Sequence, residues 1–169
     1  MRSVDTINTE RLVMTPLRAE DADEMAAVLD DERLHEFIGG HPSTPDELRS
    51  RYARLAAGSP DPNEVWCNWI VRRRPGDQAI GTLQATVTTH DGRSTAQVAW
   101  VIGVPWQGQG SASEAATALV GWVRNQGVDD IVANIHPEHR ASVLVATRAG
   151  LQPTDEEVGG EQVWRATSS

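Results

Sequence analysis

The chain has 169 residues, a formal charge of −9 at pH 7, 39% hydrophobic and 23% charged residues. That size and balance fit one folded domain, 1–169, with its own core, and no apolar run approaches the roughly 18 residues a membrane span needs. So acidic a balance argues against nucleic acid, whose binders carry basic faces, and a single cysteine, Cys67, excludes an internal disulfide. The opening Met1-Arg2-Ser3-Val4-Asp5 has no apolar signal-peptide core, so a reducing cytoplasm is the expected setting.

The first predicted element is a strand over 11–17, ending at Pro16. Asp21 is placed to cap a helix running to about residue 30, with Ala22, Met25, Ala26 and Leu29 as its buried face. An acidic stretch follows, from Asp30 to Glu36, with His35 inside it. Thr44-Pro45-Asp46-Glu47 combines a threonine cap, a proline in the first turn and a glutamate three residues after the cap, which predicts a helix to about residue 57. Strands are predicted over 65–72, 79–88 and 95–104, the last two joined by the hairpin signal His90-Asp91-Gly92-Arg93. These three form an antiparallel meander. Trp66 and Trp69, three apart on one strand, face opposite ways.

A glycine-rich turn comes next, then a helix over 113–125 with Ala116, Leu119, Val120 and Val123 at helical spacing, closed by Gly127. The strand over 131–136 runs parallel to the one before the helix, by the handedness of strand–helix–strand units. A helix over 140–149, closed by Gly150, and one or two strands over 151–165 complete the chain. The order predicts a mixed α/β sheet with helices on both faces.

The turn, Trp106-Gln107-Gly108-Gln109-Gly110-Ser111-Ala112, is where chemistry concentrates. It joins the end of a strand to the start of a helix, where the first amides lack partners and the helix dipole is positive. Such a place seats an anion, most often a phosphate. A P-loop is excluded: Gly103 to Gly108 has the spacing, but Gln109 stands where the lysine must be, and the chain contains no lysine. A dinucleotide fingerprint fails too, because the third glycine is missing and Asp129 and Asp130 precede the next strand instead of ending it.

A third pattern fits. Gln107-Gly108-Gln109-Gly110-Ser111-Ala112 resembles Gln/Arg-x-x-Gly-x-Gly/Ala, the pyrophosphate-binding signature of the GNAT N-acetyltransferases. The flanks add to it. Val101 to Trp106 looks like the family's entry strand, and Ser113-Glu114-Ala115-Ala116 like its helix opening. His136-Pro137-Glu138-His139-Arg140-Ala141-Ser142 is similar to its last strand-to-helix segment. Thr9-Glu10-Arg11-Leu12 resembles the opening of the branch that includes the ribosomal-protein N-terminal (RimJ/RimL-like) acetyltransferases. The resemblance spans about residues 9–165.

It implies the GNAT fold, with a central, mostly antiparallel sheet, and direct transfer of an acetyl group from acetyl-CoA to an amine. Ile102, Gly103 and Val104 would pair with the pantetheine arm. Gln107, Gly108, Gln109, Gly110, Ser111, Ala112 and Ser113 would hold the pyrophosphate. A backbone amide near Val101 or Ile102 would polarise the thioester carbonyl. Ser142 matches a family serine that can bond the coenzyme sulfur, and His139 replaces an asparagine that often contacts CoA. The family's glutamate before the glycine turn is Gln97 here, and the tyrosine of its last helix is Ala146. The proton path is therefore not assigned by motif. Gln97 and Asn134 are candidates to position the amine or a water, and His35, Glu36 and Trp66 to line the acceptor site.

A lysine-like amine lies roughly 3 pH units above neutrality, so freeing its lone pair costs about 4 kcal/mol, whereas an α-amine costs only about 1–1.4 kcal/mol. The acceptor expected is a primary amine: a protein N-terminus, a small cationic amine or an aminoglycoside. A CoA-binding module with weak or lost catalysis is the alternative. No metal is expected, and a homodimer is left open.

Overall fold

A computed structural model describes residues 4–36 and 40–166. Its centre is an eight-stranded sheet. The strands are β1 (Ile7–Asn8), β2 (Leu12–Pro16), β3 (Glu64–Arg73), β4 (Gln78–His90), β5 (Arg93–Ile102), β6 (Asp130–Ile135), β7 (Leu151–Val158) and β8 (Glu161–Ala166), in spatial order β1-β2-β3-β4-β5-β6-β8-β7. Only β5 and β6 run parallel; every other neighbouring pair is antiparallel. The helices are α1 (Ala22–Val28), α2 (Pro45–Ala57), α3 (Ser111–Asn125) and α4 (Arg140–Arg148). No helix among the described residues is long and apolar enough to cross a membrane.

Strand alternation sorts the core into two layers. Cys67, Trp69, Val71, Leu83, Val98 and Ile102 pack with Ala115, Leu119 and Val145, so α3 and α4 cover this face. Ile70 and Ala79 pack with Met25, Leu48 and Tyr52, so α1 and α2 cover the other. Trp69 is fully buried and meets Trp122 of α3 edge-on, ring centroids 5.1 Å apart.

Local signals set the boundaries. Thr44 accepts from the Glu47 amide at 3.2 Å while the Glu47 carboxylate accepts from the Thr44 amide at 2.9 Å, the reciprocal cap the sequence predicts. Asp91 and Gly92 sit at φ 51° and 77° between β4 and β5, as a two-residue hairpin of right-handed twist requires. Asp21 departs from expectation. Its carboxylate accepts from the Arg18 amide at 2.8 Å, heading a short 3₁₀ turn before α1, and also receives Arg72 at 3.3 Å. β5 stops at Ile102 instead of running to 104. Val104–Trp106 is a 3₁₀ turn instead, in which Pro105 has no amide to continue a ladder.

Candidate active site

β5 and β6 are paired only at Thr95–Asp130, Ala96–Ile131 and Gln97–Val132. Beyond Gln97 they part, while on their far edges β5 stays paired with β4 as far as Ile102 and β6 with β8 from Val132 to Ile135. The strand edges facing the gap are thus left outside the sheet. Which β5 groups face it follows from the antiparallel ladder. The Gly103 amide donates to the Ile80 carbonyl at 2.7 Å, so Ala99, Val101 and Gly103 turn their amides to β4, and Val98, Trp100 and Ile102 turn theirs into the gap. The Gln107 side-chain amide reaches back to the Ile102 carbonyl at 2.9 Å.

A cavity of about 720 Å³ fills the gap. Toward α3 and α4 it is walled by Val98, Trp100, Ile102, Ala141 and Val145. Asn134 alternates with Ala133 and Ile135 on β6 and so faces the opposite layer, where Arg33, Leu34 and Glu36 close the cavity from the connection between α1 and α2; His136, just past the end of β6, also lines it. One end opens on the glycine turn.

In that turn Gly108 and Gly110 sit at φ 77° and 81°, a conformation other residues enter only at a cost. The first bond of α3 is from the Glu114 amide to the Gly110 carbonyl, 3.0 Å. The amides of Ser111, Ala112 and Ser113 precede it, lie outside the helical ladder and border the cavity. The predicted start at Ser113 is thus two residues late, and Ser111 is buried.

The turn is held from behind. Glu114 accepts from the Thr9 hydroxyl (2.5 Å), the Arg11 amide (2.9 Å) and Arg11 Nε (2.7 Å), and Arg11 Nη1 donates to the Gln109 carbonyl (2.9 Å). Arg73 Nη1 adds a bond to Gln109 Oε1 at 3.3 Å. Burial pushes the Glu114 carboxyl up, but the bonds from Thr9 and Arg11 outweigh it and leave the group below its ordinary value. Sequence reading found both segments as motifs and missed that they touch.

Of the residues named from sequence, Ile102, Val104, Gln107, Gly108, Gly110, Ser111, Ala112, Ser113, Asn134, His139, Ser142 and Glu36 line the cavity. Others lie elsewhere. Gln97 is exposed on the part of β5 still paired with β6, outside the lining. Gly103 is buried, and a Cβ there would come within 2.8 Å of the Val28 carbonyl and 2.9 Å of the Trp106 ring, so its part is close packing. Gln109 faces Arg11 and Arg73. His35 is outside the lining, as is Trp66, whose indole donates to Glu64 at 2.6 Å. Tyr52, the chain's single tyrosine, lies in the α1–α2 core and is pushed up to about 12 by burial, so it cannot replace the tyrosine missing at the buried Ala146. Burial pushes the Cys67 thiol up to about 11, which suits a packing role.

The Glu138 amide donates to His136 Nδ1 at 3.1 Å, so Nδ1 acts as the acceptor of that ring. His139, at the start of α4, is half-buried. Burial lowers its pKa, the Glu36 carboxylate partly opposes this, and His136 adds to the lowering, so the net shift is downward.

A split sheet with a helix N-terminus at one end of the split suits an extended ligand that ends in an anion. Residues 11–152 match the acetyltransferase (GNAT) domain, and the chain belongs to that family. It is therefore an acetyl-CoA-dependent acyltransferase domain. Solved structures share the fold at low identity. An acetyltransferase of the GNAT family from Bacillus anthracis is 20% identical, with a TM-score of 0.74 over 95% of this chain and 94% of that one. The ribosomal L7/L12 alpha-N-protein acetyltransferase RimL in complex with coenzyme A is 13% identical, TM-score 0.76, over 95% and 97%. AAC(6')-Ib in complex with paromomycin and acetyl-CoA is 16% identical, TM-score 0.74, over 92% of both. No curated protein sequence matches the chain.

Proposed function

We propose that the chain transfers the acetyl group of acetyl-CoA directly to a primary amine of low pKa, an α-amine above all. The observation that carries this is the β5–β6 gap: an open strand edge leading, in one cavity, to the bare amides of α3. The pantetheine arm pairs with the gap-facing groups of Trp100 and Ile102, and the diphosphate rests on the amides of Gly110 to Ser113. The thioester carbonyl takes its bond from the Trp100 or Ile102 amide; Val101, the other candidate from sequence, turns its amide to β4.

Asn134 orients the amine. His139 takes its proton, directly or through one water, because it lines the cavity and burial favours its neutral form. His136 Nδ1 already accepts from the Glu138 amide, which leaves that nitrogen no lone pair for the amine. The amine nitrogen then attacks the thioester carbon, its second proton passes to the sulfur as the C–S bond breaks, and the coenzyme leaves as the thiol, with the Ser142 hydroxyl beside the sulfur as hydrogen-bond donor. A histidine base whose pKa is lowered by burial deprotonates an amine near 7.7–8.0 far more readily than one near 10.4, which favours an α-amine over a lysine-like one. The Thr9-Glu10-Arg11-Leu12 opening and the likeness to RimL support a protein N-terminus as acceptor; the likeness to AAC(6')-Ib keeps an aminoglycoside as the other class.

The test is thiol release from acetyl-CoA with a panel of N-terminal peptides, polyamines and aminoglycosides at pH 7. Turnover greatest with the α-amines supports the proposal. A second reading, a module that binds CoA without efficient catalysis, is favoured by Ala146 and by the exposed position of Gln97. Binding without turnover on any amine would establish it.

A further inference from the structure

The Arg11 guanidinium spans two parts of the site. Its Nε and its own backbone amide hold Glu114 in the first turn of α3, and its Nη1 holds the Gln109 carbonyl in the glycine turn. We infer that Arg11 is a positioning residue for coenzyme binding, fixing the plane of the Gln109–Gly110 peptide so that the Gly110 amide points to the diphosphate; this rests on the coenzyme reading above.

In a trans peptide the C=O and N–H point in opposite directions. The Gln109 carbonyl is held against Arg11 at 2.9 Å, so the Gly110 N–H points away from Arg11. Gly110 borders the cavity. Its φ of 81° requires glycine, but glycine crosses to negative φ as easily. That rotation turns the peptide over and swings the carbonyl oxygen toward the ligand, where its partial negative charge repels a diphosphate. Glycine therefore permits the binding orientation without selecting it. Arg11 selects it, and Glu114 and Thr9 keep Arg11 in place.

Charge gives Arg11 a second effect. Glu114 lies one helical turn from the anion seat, and its carboxylate is ionised at neutral pH. The Arg11 ion pair at 2.7 Å offsets that charge beside the diphosphate. Neither effect reaches the pantetheine arm. The Arg11 side chain is half exposed, so removing it empties no core.

The test uses the full chain with two acetyl donors: acetyl-CoA, and S-acetylpantetheine, which lacks the diphosphate. Arg11→Ala should raise KM for acetyl-CoA and Kd for CoA by about tenfold or more, with kcat nearly unchanged and KM for S-acetylpantetheine unchanged. Arg11→Lys, which restores charge without the fork, should recover only part of the affinity. Equal loss with both donors, full recovery with lysine, or an unchanged acetyl-CoA KM in Arg11→Ala would overturn the inference while leaving the coenzyme reading intact. A folded wild-type chain that binds no CoA would overturn both.

Discussion

The Gln107 side chain donates its amide to the Ile102 carbonyl at 2.9 Å, closing a loop of five residues between the end of β5 and the glycine turn. This sets the distance from the strand edge that pairs with the pantetheine arm to the amides that meet the diphosphate. It also gives a physical reason for glutamine or arginine at the head of the signature: both are donors that reach a carbonyl. Gln107→Arg should keep acetyl-CoA KM within a few-fold. Gln107→Glu, an acceptor facing an acceptor at neutral pH, should raise it by about tenfold or more, since an unpaired and repelled carbonyl costs on the order of 1–3 kcal/mol. Steady-state KM values for the two variants decide it.

Gly108 and Gly110 share the same backbone strain but not the same surroundings. A Cβ at Gly108 meets nothing within 4 Å, whereas one at Gly110 lies 3.2 Å from Arg11 Nη2. Alanine at either should cost about 1–2 kcal/mol of stability through the left-handed conformation alone. Only Gly110→Ala should also displace Arg11 and weaken CoA binding well beyond that strain. Chemical denaturation and CoA calorimetry on both variants separate the two effects.

The pH dependence follows from His139. Its pKa is lowered, mainly by burial, so the neutral, proton-accepting form extends to lower pH than in a free imidazole and is lost as pH falls through the lowered pKa. With saturating substrates kcat should fall toward acid with its inflection below that of a free imidazole. His139→Gln should lower kcat by about 10²–10⁴-fold and remove that limb. His136→Gln should retain it. An unchanged acid limb in His139→Gln would assign the proton elsewhere.

Ser142 is one of the few buried polar side chains, 8% exposed, and it faces the cavity. Ser142→Ala should slow transfer by about tenfold, the worth of one hydrogen bond to a developing thiolate, while CoA affinity changes little. Single-turnover rates set against calorimetric Kd values check this.

Local chemistry made much of this legible in the sequence. The Thr44–Glu47 cap, the Asp91-Gly92 hairpin and the Gly108–Gly110 turn each carry their geometry in neighbouring residues. What depends on distant partners was not legible. β1 is only two residues long, Ile7–Asn8, too short to show a period. Asp21 has the chemistry of a helix cap, but its oxygens serve Arg18 and Arg72, 51 residues away. The parting of β5 and β6 after Gln97 is a matter of how distant strands are placed, and nothing in the 95–104 segment marks where the gap begins. That is why Gln97 reads as a site residue from the motif yet sits outside the cavity. Arg11 and Glu114 lie in recognisable motifs, but their contact crosses 103 residues.

The central claim is that outward-turned β5 amides and the first amides of α3 grip the coenzyme. Amide hydrogen exchange with and without CoA tests it most directly. The account predicts that Trp100, Ile102, Gly110, Ser111, Ala112 and Ser113 slow sharply on binding, while Ala99 and Val101, already bonded to β4, do not change. CoA binding that leaves those six amides exchanging as before would contradict it.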